Sequence, residues 1–238
     1  MSRRAPKRLL LLALCAFFAL LFAGLGIWQV ERLRWKLDLI ARVEQRVSAA
    51  AVAPPGSASW SSLEPEAIEY RRVSLRGTFD HPRETLVEAL TEQGPGYWVV
   101  TPFRTDAGTY LVNRGFVPPD RRWPGSRAAG QVAGPVTIVG LVRLSEPEGR
   151  FLRTNQPEAD RWFSRDVAAI ATRRGLGPVA PFFIDADRTA NPGGFPIGGL
   201  TVVSFRNAHL IYALTWFALA LLSLFGLALT ARSTHNRG

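Results

Sequence analysis

Two long stretches of the chain carry no acidic or basic side chain apart from one histidine. The first runs from Leu9 to Val30. The second runs from Asn207 to Ala231, where His209 and Tyr212 are the only side chains that titrate. A helix needs roughly 20 apolar residues to cross the hydrocarbon of a bilayer, so both stretches are predicted to be transmembrane helices whose backbone polar groups are satisfied internally. Past the first stretch, Val30, Leu33, Leu37, Ile40, Val43 and Val47 recur every three or four residues. That spacing predicts an amphipathic helix over 31–50. Pro54, Pro55 and Gly56 cannot extend it, and the Ser-rich 51–66 segment reads as a linker.

From Tyr70 onward the period changes. RRVSLRGTFD alternates apolar and polar positions, with Gly77 marking a bulge or a close backbone approach. GYWVVTPF, TYLVNRGFV and PVTIVGLVRL are rich in β-branched and aromatic residues between Gly, Pro and Asp. The first two form a predicted hairpin turning at Thr105–Gly108. One helix is predicted from Pro157 to Gly175, on the recurrence of Trp162, Phe163, Val167, Ile170 and Ala171. PFFIDA and LTVVSF read as strands, and NPGGFPIGG between them as irregular chain. The expected fold class is α+β: two transmembrane helices flanking a β-rich domain, an antiparallel sheet or partial barrel with one or two helices. Its divisions are a tail over 1–8, a span over 9–30, the domain over 31–206, a span over 207–231 and a tail over 232–238.

Charge adds an orientation. Arg3, Arg4, Lys7 and Arg8 precede the first span and Arg232 and Arg237 follow the second, with no acidic residue in either flank. Both termini are therefore expected in the cytoplasm and the domain outside it, in the periplasm of a bacterium. The first span is longer than the apolar core of a cleavable signal and has no small-residue cleavage pattern, which reads as a retained anchor. No Arg- and Ser-rich transit segment precedes Leu9, so the expected membrane is a bacterial plasma membrane. The formal charge of +10 sits partly in those flanks, and a basic domain on the far side of a membrane is not expected to meet nucleic acid. Cys15, the only cysteine, lies inside the first span, so no disulfide framework exists. The histidines are His81, His209 and His235, with no metal-ligand spacing.

No nucleophile elbow, phosphate loop or zinc-protease motif occurs. Asp185 and Asp187 would point the same way from a strand, an arrangement better suited to a solvated strand end than to catalysis. The unusual residue is His209, since an ionisable side chain in a membrane helix is by default a functional candidate. Two readings fit it. His209, Tyr212 and Trp216 fall at i, i+3 and i+7, so one face could offer an imidazole to haem iron with aromatic rings alongside. Alternatively Asn207 caps the helix and the three residues belong to the membrane interface. Trp28, Gln29 and Arg32 emerge at the same depth of the first span, either as interface anchors or as lining of a shared polar site, with Arg32 facing a propionate.

LGIWQVERLRWK, VSLRGTFD, GYWVVTPF, VNRGFVP and NAHLIYALTWF, in this order between the two spans, resemble the surfeit-locus-1 family of cytochrome c oxidase assembly factors. The resemblance covers Leu25 to Leu219. Phe116 stands where the family commonly has Trp. The resemblance implies a non-enzymatic role in maturing the catalytic subunit of haem-copper oxidases. It also implies transient binding of haem a, with the histidine of the second span, here His209, as iron ligand. Tyr212, Trp216, Trp28, Gln29 and Arg32 become candidate pocket lining. The expected partners are the oxidase catalytic subunit, other assembly factors and membrane lipid. The alternative is a scaffold that steadies the nascent oxidase subunit without touching haem.

Overall fold

The computed structural model describes residues 4–147, 149–150, 152–200 and 207–235. The chain falls into two units, one of residues 1–42 with 204–238 and one of residues 43–203.

Helix α1 runs unbroken from Arg4 to Ser48, so the predicted first span and the amphipathic segment after it are one helix. Helix α4 covers His209–His235. Both are long and apolar enough to cross a membrane. Their buried positions share a spacing. In α1, Ala19, Gly26 and Gln29 are buried, and in α4, Ala213 and Ala220. Steps of three and seven residues place mostly small side chains along one seam of each helix, which lets two backbones approach closely. The contacts run antiparallel. Phe22 stacks on Trp216 with ring centroids 5.6 Å apart. A Cβ on Gly26 would lie 2.6 Å from the Phe217 ring, and one on Gly226 3.6 Å from Cys15 Sγ.

The second unit is built on six strands: β1 (Arg72–Phe79), β2 (Thr85–Thr91), β3 (Gly94–Thr105), β4 (Gly108–Val117), β5 (Val136–Leu144) and β6 (Val179–Ala186). Their order is β1-β5-β6-β4-β3-β2, and β1 also pairs with β3. That additional pairing closes β1, β5, β6, β4 and β3 into a five-stranded barrel. Both β1 and β2 lie along β3, β1 opposite Phe103–Arg104 and β2 opposite Gly94–Val100. Gly77 marks the crossing of β1 toward β3, where a Cβ would stand 2.1 Å from the Arg104 carbonyl oxygen. The predicted hairpin turns at Thr105 and Gly108 as expected. The sheet is not wholly antiparallel, because β4 and β6 run parallel. Alternate residues of the strands meet inside, with Val73, Leu75, Phe103, Tyr110, Val112, Val142, Phe182 and Ile184 all buried together.

Two expectations fail here. Residues 51–66 are not a free linker: Val52 bridges to Val73, and Trp60 and Tyr110 both donate to the Pro55 carbonyl at 2.9 Å. The predicted 157–175 helix is only α3, Val167–Arg173, started by Asp166, which accepts from the Ala169 N–H at 3.1 Å. Asp160 takes a left-handed conformation that ends a short 3-10 turn, and Trp162 then pairs with the edge of β2 at Val87. Trp162, Val167 and Ile170 pack with Val87, Val100, Leu111 and Phe183 into a second core on the outer face of the barrel. The predicted strand over 200–205 lies almost wholly outside the described residues. Helix α2, Pro65–Ile68, completes the fold.

Gly115 shows how closely the 195–199 segment is laid against β4. Its φ is +128°, and a Cβ there would stand 2.1 Å from the Ile197 carbonyl oxygen, while Phe116 and Ile197 exchange two backbone hydrogen bonds of 2.9 Å. Gly115→Ala combines a disfavoured φ with overpacking and is expected to cost about 2–4 kcal/mol. Thermal unfolding of the detergent-solubilised protein by near-ultraviolet circular dichroism measures it.

Candidate functional site

In the helical hairpin, His209 is the first residue of α4. Ala208 therefore occupies the flanking position, and the expected cap by Asn207 does not form. The Asn207 Oδ1 is buried without a donor among the described residues. His209 Nδ1 lies 2.8 Å from Gln29 Oε1 of α1, and Gln29 is 9% exposed. This polar pair sits at the end of a seam otherwise made of alanine, glycine and aromatic side chains. His209 Nε2 has no protein partner among the described residues.

The other candidates separate. Trp216 lies seven residues from His209 on the seam and packs on Phe22. Tyr212 is 55% exposed and Trp28 51%, because each precedes a buried seam position, Ala213 or Gln29, and so faces outward. The Arg32 guanidinium rests 5.0 Å above the ring of Trp35 on its own helix. Of the six residues expected to share a site, the structure brings together His209, Gln29 and Trp216 along one seam and turns Trp28 and Tyr212 to the outer surface.

The donor set fits an iron porphyrin in its chemistry. One imidazole nitrogen is engaged and the other has no partner among the described residues, which leaves a donor of the kind that binds haem iron.

The barrel unit holds polar features the sequence did not announce. Asp185 is not a solvated strand end but 2% exposed, since β6 lies between β5 and β4. It accepts from Asn113 Nδ2 at 2.8 Å and from Arg165 at 3.2 Å, and Arg143 lies 3.7 Å away. Arg165 in turn bonds Glu146 through Nε at 3.1 Å. Burial would raise the Glu146 pKa, but the Arg165 bonds outweigh it and hold this carboxyl below its ordinary range. Asp187 lies 3.9 Å from Arg72 and accepts from Thr189, so the two aspartates do not act as a pair. Elsewhere in this unit a cleft of about 690 Å³ is lined by His81, Leu86, Trp123, Gln131 and Arg174 among others. Trp123 is 74% exposed at its edge. Among the described residues no three acidic, histidine or cysteine side chains converge to hold a metal ion.

A helical hairpin with a histidine–glutamine pair in its apolar seam, enclosing in sequence a closed five-stranded barrel, defines a class of two-helix, barrel-bearing proteins. The SURF1 family model matches residues 16–221, and the chain belongs to that family. It is similar to surfeit locus protein 1 of Rattus norvegicus, 43% identical over 213 residues that cover 82% of this chain and 67% of the relative. The human protein of the same name is 42% identical over 230 residues, 89% of this chain and 72% of the relative. A SURF1-like protein of Monosiga brevicollis is 39% identical over 228 residues, with 90% and 85% covered.

Proposed function

We propose that this chain is a membrane-embedded, non-enzymatic assembly factor for a haem-copper oxidase. In this reading the hairpin lies in a bacterial plasma membrane with both termini cytoplasmic and the barrel periplasmic. His209 ligates haem a in transit to the oxidase catalytic subunit, and the barrel docks on that subunit or on other assembly factors. The observation that carries the reading is His209 itself, an ionisable side chain at the head of an apolar helix with one ring nitrogen held by Gln29 and the other without a partner among the described residues. Haem supplies the iron that an imidazole binds. The chain's own residues supply orientation and one donor nitrogen. Membership of the SURF1 family supports the reading, and the exposed Trp123 beside its cleft suits a docking surface.

Purification of the full chain from cells that make haem a, followed by visible spectroscopy, tests this. The wild type is expected to carry a Soret band that His209→Ala loses while keeping its folded circular dichroism. A wild type without the band, or an alanine variant that keeps it, overturns haem binding. The chain is then the scaffold that steadies the nascent subunit.

A further inference from the structure

We infer that Gln29 is a positioning residue that fixes His209 in the Nδ1–H tautomer, presents Nε2 as the sole iron-binding atom and sets its donor strength low enough for haem to be handed on. The inference rests on the proposed haem-binding reading and concerns a residue of the other helix.

The argument begins with hydrogen-bond valence. The atom facing His209 Nδ1 at 2.8 Å is Gln29 Oε1, and an amide oxygen only accepts. Nδ1 must therefore carry the proton, and a neutral imidazole protonated there has its lone pair on Nε2. Gln29 is buried and flanked by the small-residue seam. In that setting the imidazole cannot turn without leaving a buried amide unsatisfied. A histidine free to choose either tautomer would offer the wrong nitrogen part of the time. Here α1 makes the choice before any ligand arrives.

The chemical identity of the acceptor matters as much as its position. A carboxylate on the far nitrogen of a metal-bound histidine withdraws the Nδ1 proton and raises the basicity of the ligand, tightening the bond to iron. An amide oxygen orients the ring as well but pulls the proton less. Glutamine at position 29 is thus suited to a protein that must load a haem and then release it. Because the two partners come from different helices, ligand orientation also depends on the hairpin register that the same pair helps to set.

Two measurements on the full-length protein in lipid separate this inference from the reading beneath it. Solid-state nitrogen NMR of histidine-labelled apo-protein, with His209→Ala as the assignment control, is expected to show His209 protonated at Nδ1. Gln29→Leu should yield a mixture of tautomers. Titration with purified haem a is expected to give about 10–100-fold weaker binding for Gln29→Leu. For Gln29→Glu the expectation is a lower iron midpoint potential and slower transfer of haem to apomyoglobin. A wild-type His209 protonated at Nε2, or haem binding through His209 that neither Gln29 variant alters, overturns the role of Gln29 and leaves haem binding intact. Loss of haem binding in the wild type removes both.

Discussion

Asp185→Leu is expected to destabilise the barrel by about 3–5 kcal/mol, the cost of breaking a buried ion pair by removing one partner. Asp185 lies in β6 with both neighbouring strands against it, and its carboxylate receives Asn113 from β4 and Arg165 from the loop before α3, with Arg143 of β5 close by. Removing it strands the Asn113 amide and leaves the Arg165 guanidinium, which stacks at 4.6 Å on Phe183, with Glu146 alone as its anion. Arg143 keeps Glu69, 3.8 Å away, so the damage falls mainly on the β4 and α3 side. The pairing of cause and partner is testable by a cycle. Arg165→Met alone should also destabilise, but adding it to Asp185→Leu should cost clearly less than the sum, because the second change removes the charge the first left exposed. Strictly additive losses in denaturant melts would sink the network. The same network gives an acid limb. Glu146 has a folded pKa below its ordinary value, so its contribution is complete above the ordinary carboxylate range and is lost as pH falls through the folded value.

The helices and most strands were legible because each follows a local period. The β1, β3, β4, β5 and β6 patterns alternate or are continuously apolar between turn residues, and the structure puts strands there. β2 was missed because TLVEALT carries Leu, Glu and Ala, which favour helix as readily as strand. Its identity comes from pairing with β3. Trp162 and Phe163 were misplaced for the converse reason: their spacing to Val167 and Ile170 is helical by coincidence, while the left-handed Asp160 and the bridge to Val87 set the real conformation. Barrel closure and the parallel β4–β6 pair depend on strand order, which no local pattern encodes. At the hairpin, His209 stood out by charge alone. That Gln29 would be its partner follows from seam spacing in α1, where Ala19, Gly26 and Gln29 are buried in turn. Asp185 was misread because a strand end on paper is a central strand in the barrel.

Arg114→Leu is the other large loss, expected at about 2–4 kcal/mol from buried acceptors left without donors. Arg114, on β4, is 2% exposed. Its guanidinium lies 4.6 Å over Phe79, donates to the Gly130 carbonyl and to Asn191 Oδ1 at 3.2 Å, and approaches His81 Nδ1 at 3.5 Å. One side chain thus ties three loops to the barrel wall. Burial lowers the Arg114 pKa to about 10, with Glu84 opposing the shift, which leaves the group charged at neutral pH. Arg114→Lys should recover little, since one ammonium cannot reproduce the planar fork that reaches Gly130 and Asn191 together. The pH dependence supplies a sharper signature. Burial lowers the His81 pKa and the cations Arg114 and Arg127 lower it further, while its bond to the Val132 carbonyl raises it. The unfolded chain therefore takes up a proton at higher pH than the folded one, so His81 costs stability as pH falls below its ordinary value. Removing Arg114 takes away one of the charges holding that pKa down. The leucine variant should be less stable at neutral pH yet lose less on going from pH 7 to pH 5, and the His81 ring resonance should titrate at higher pH than in the wild type. An unshifted His81 titration would mean that Arg114 acts on the loops alone.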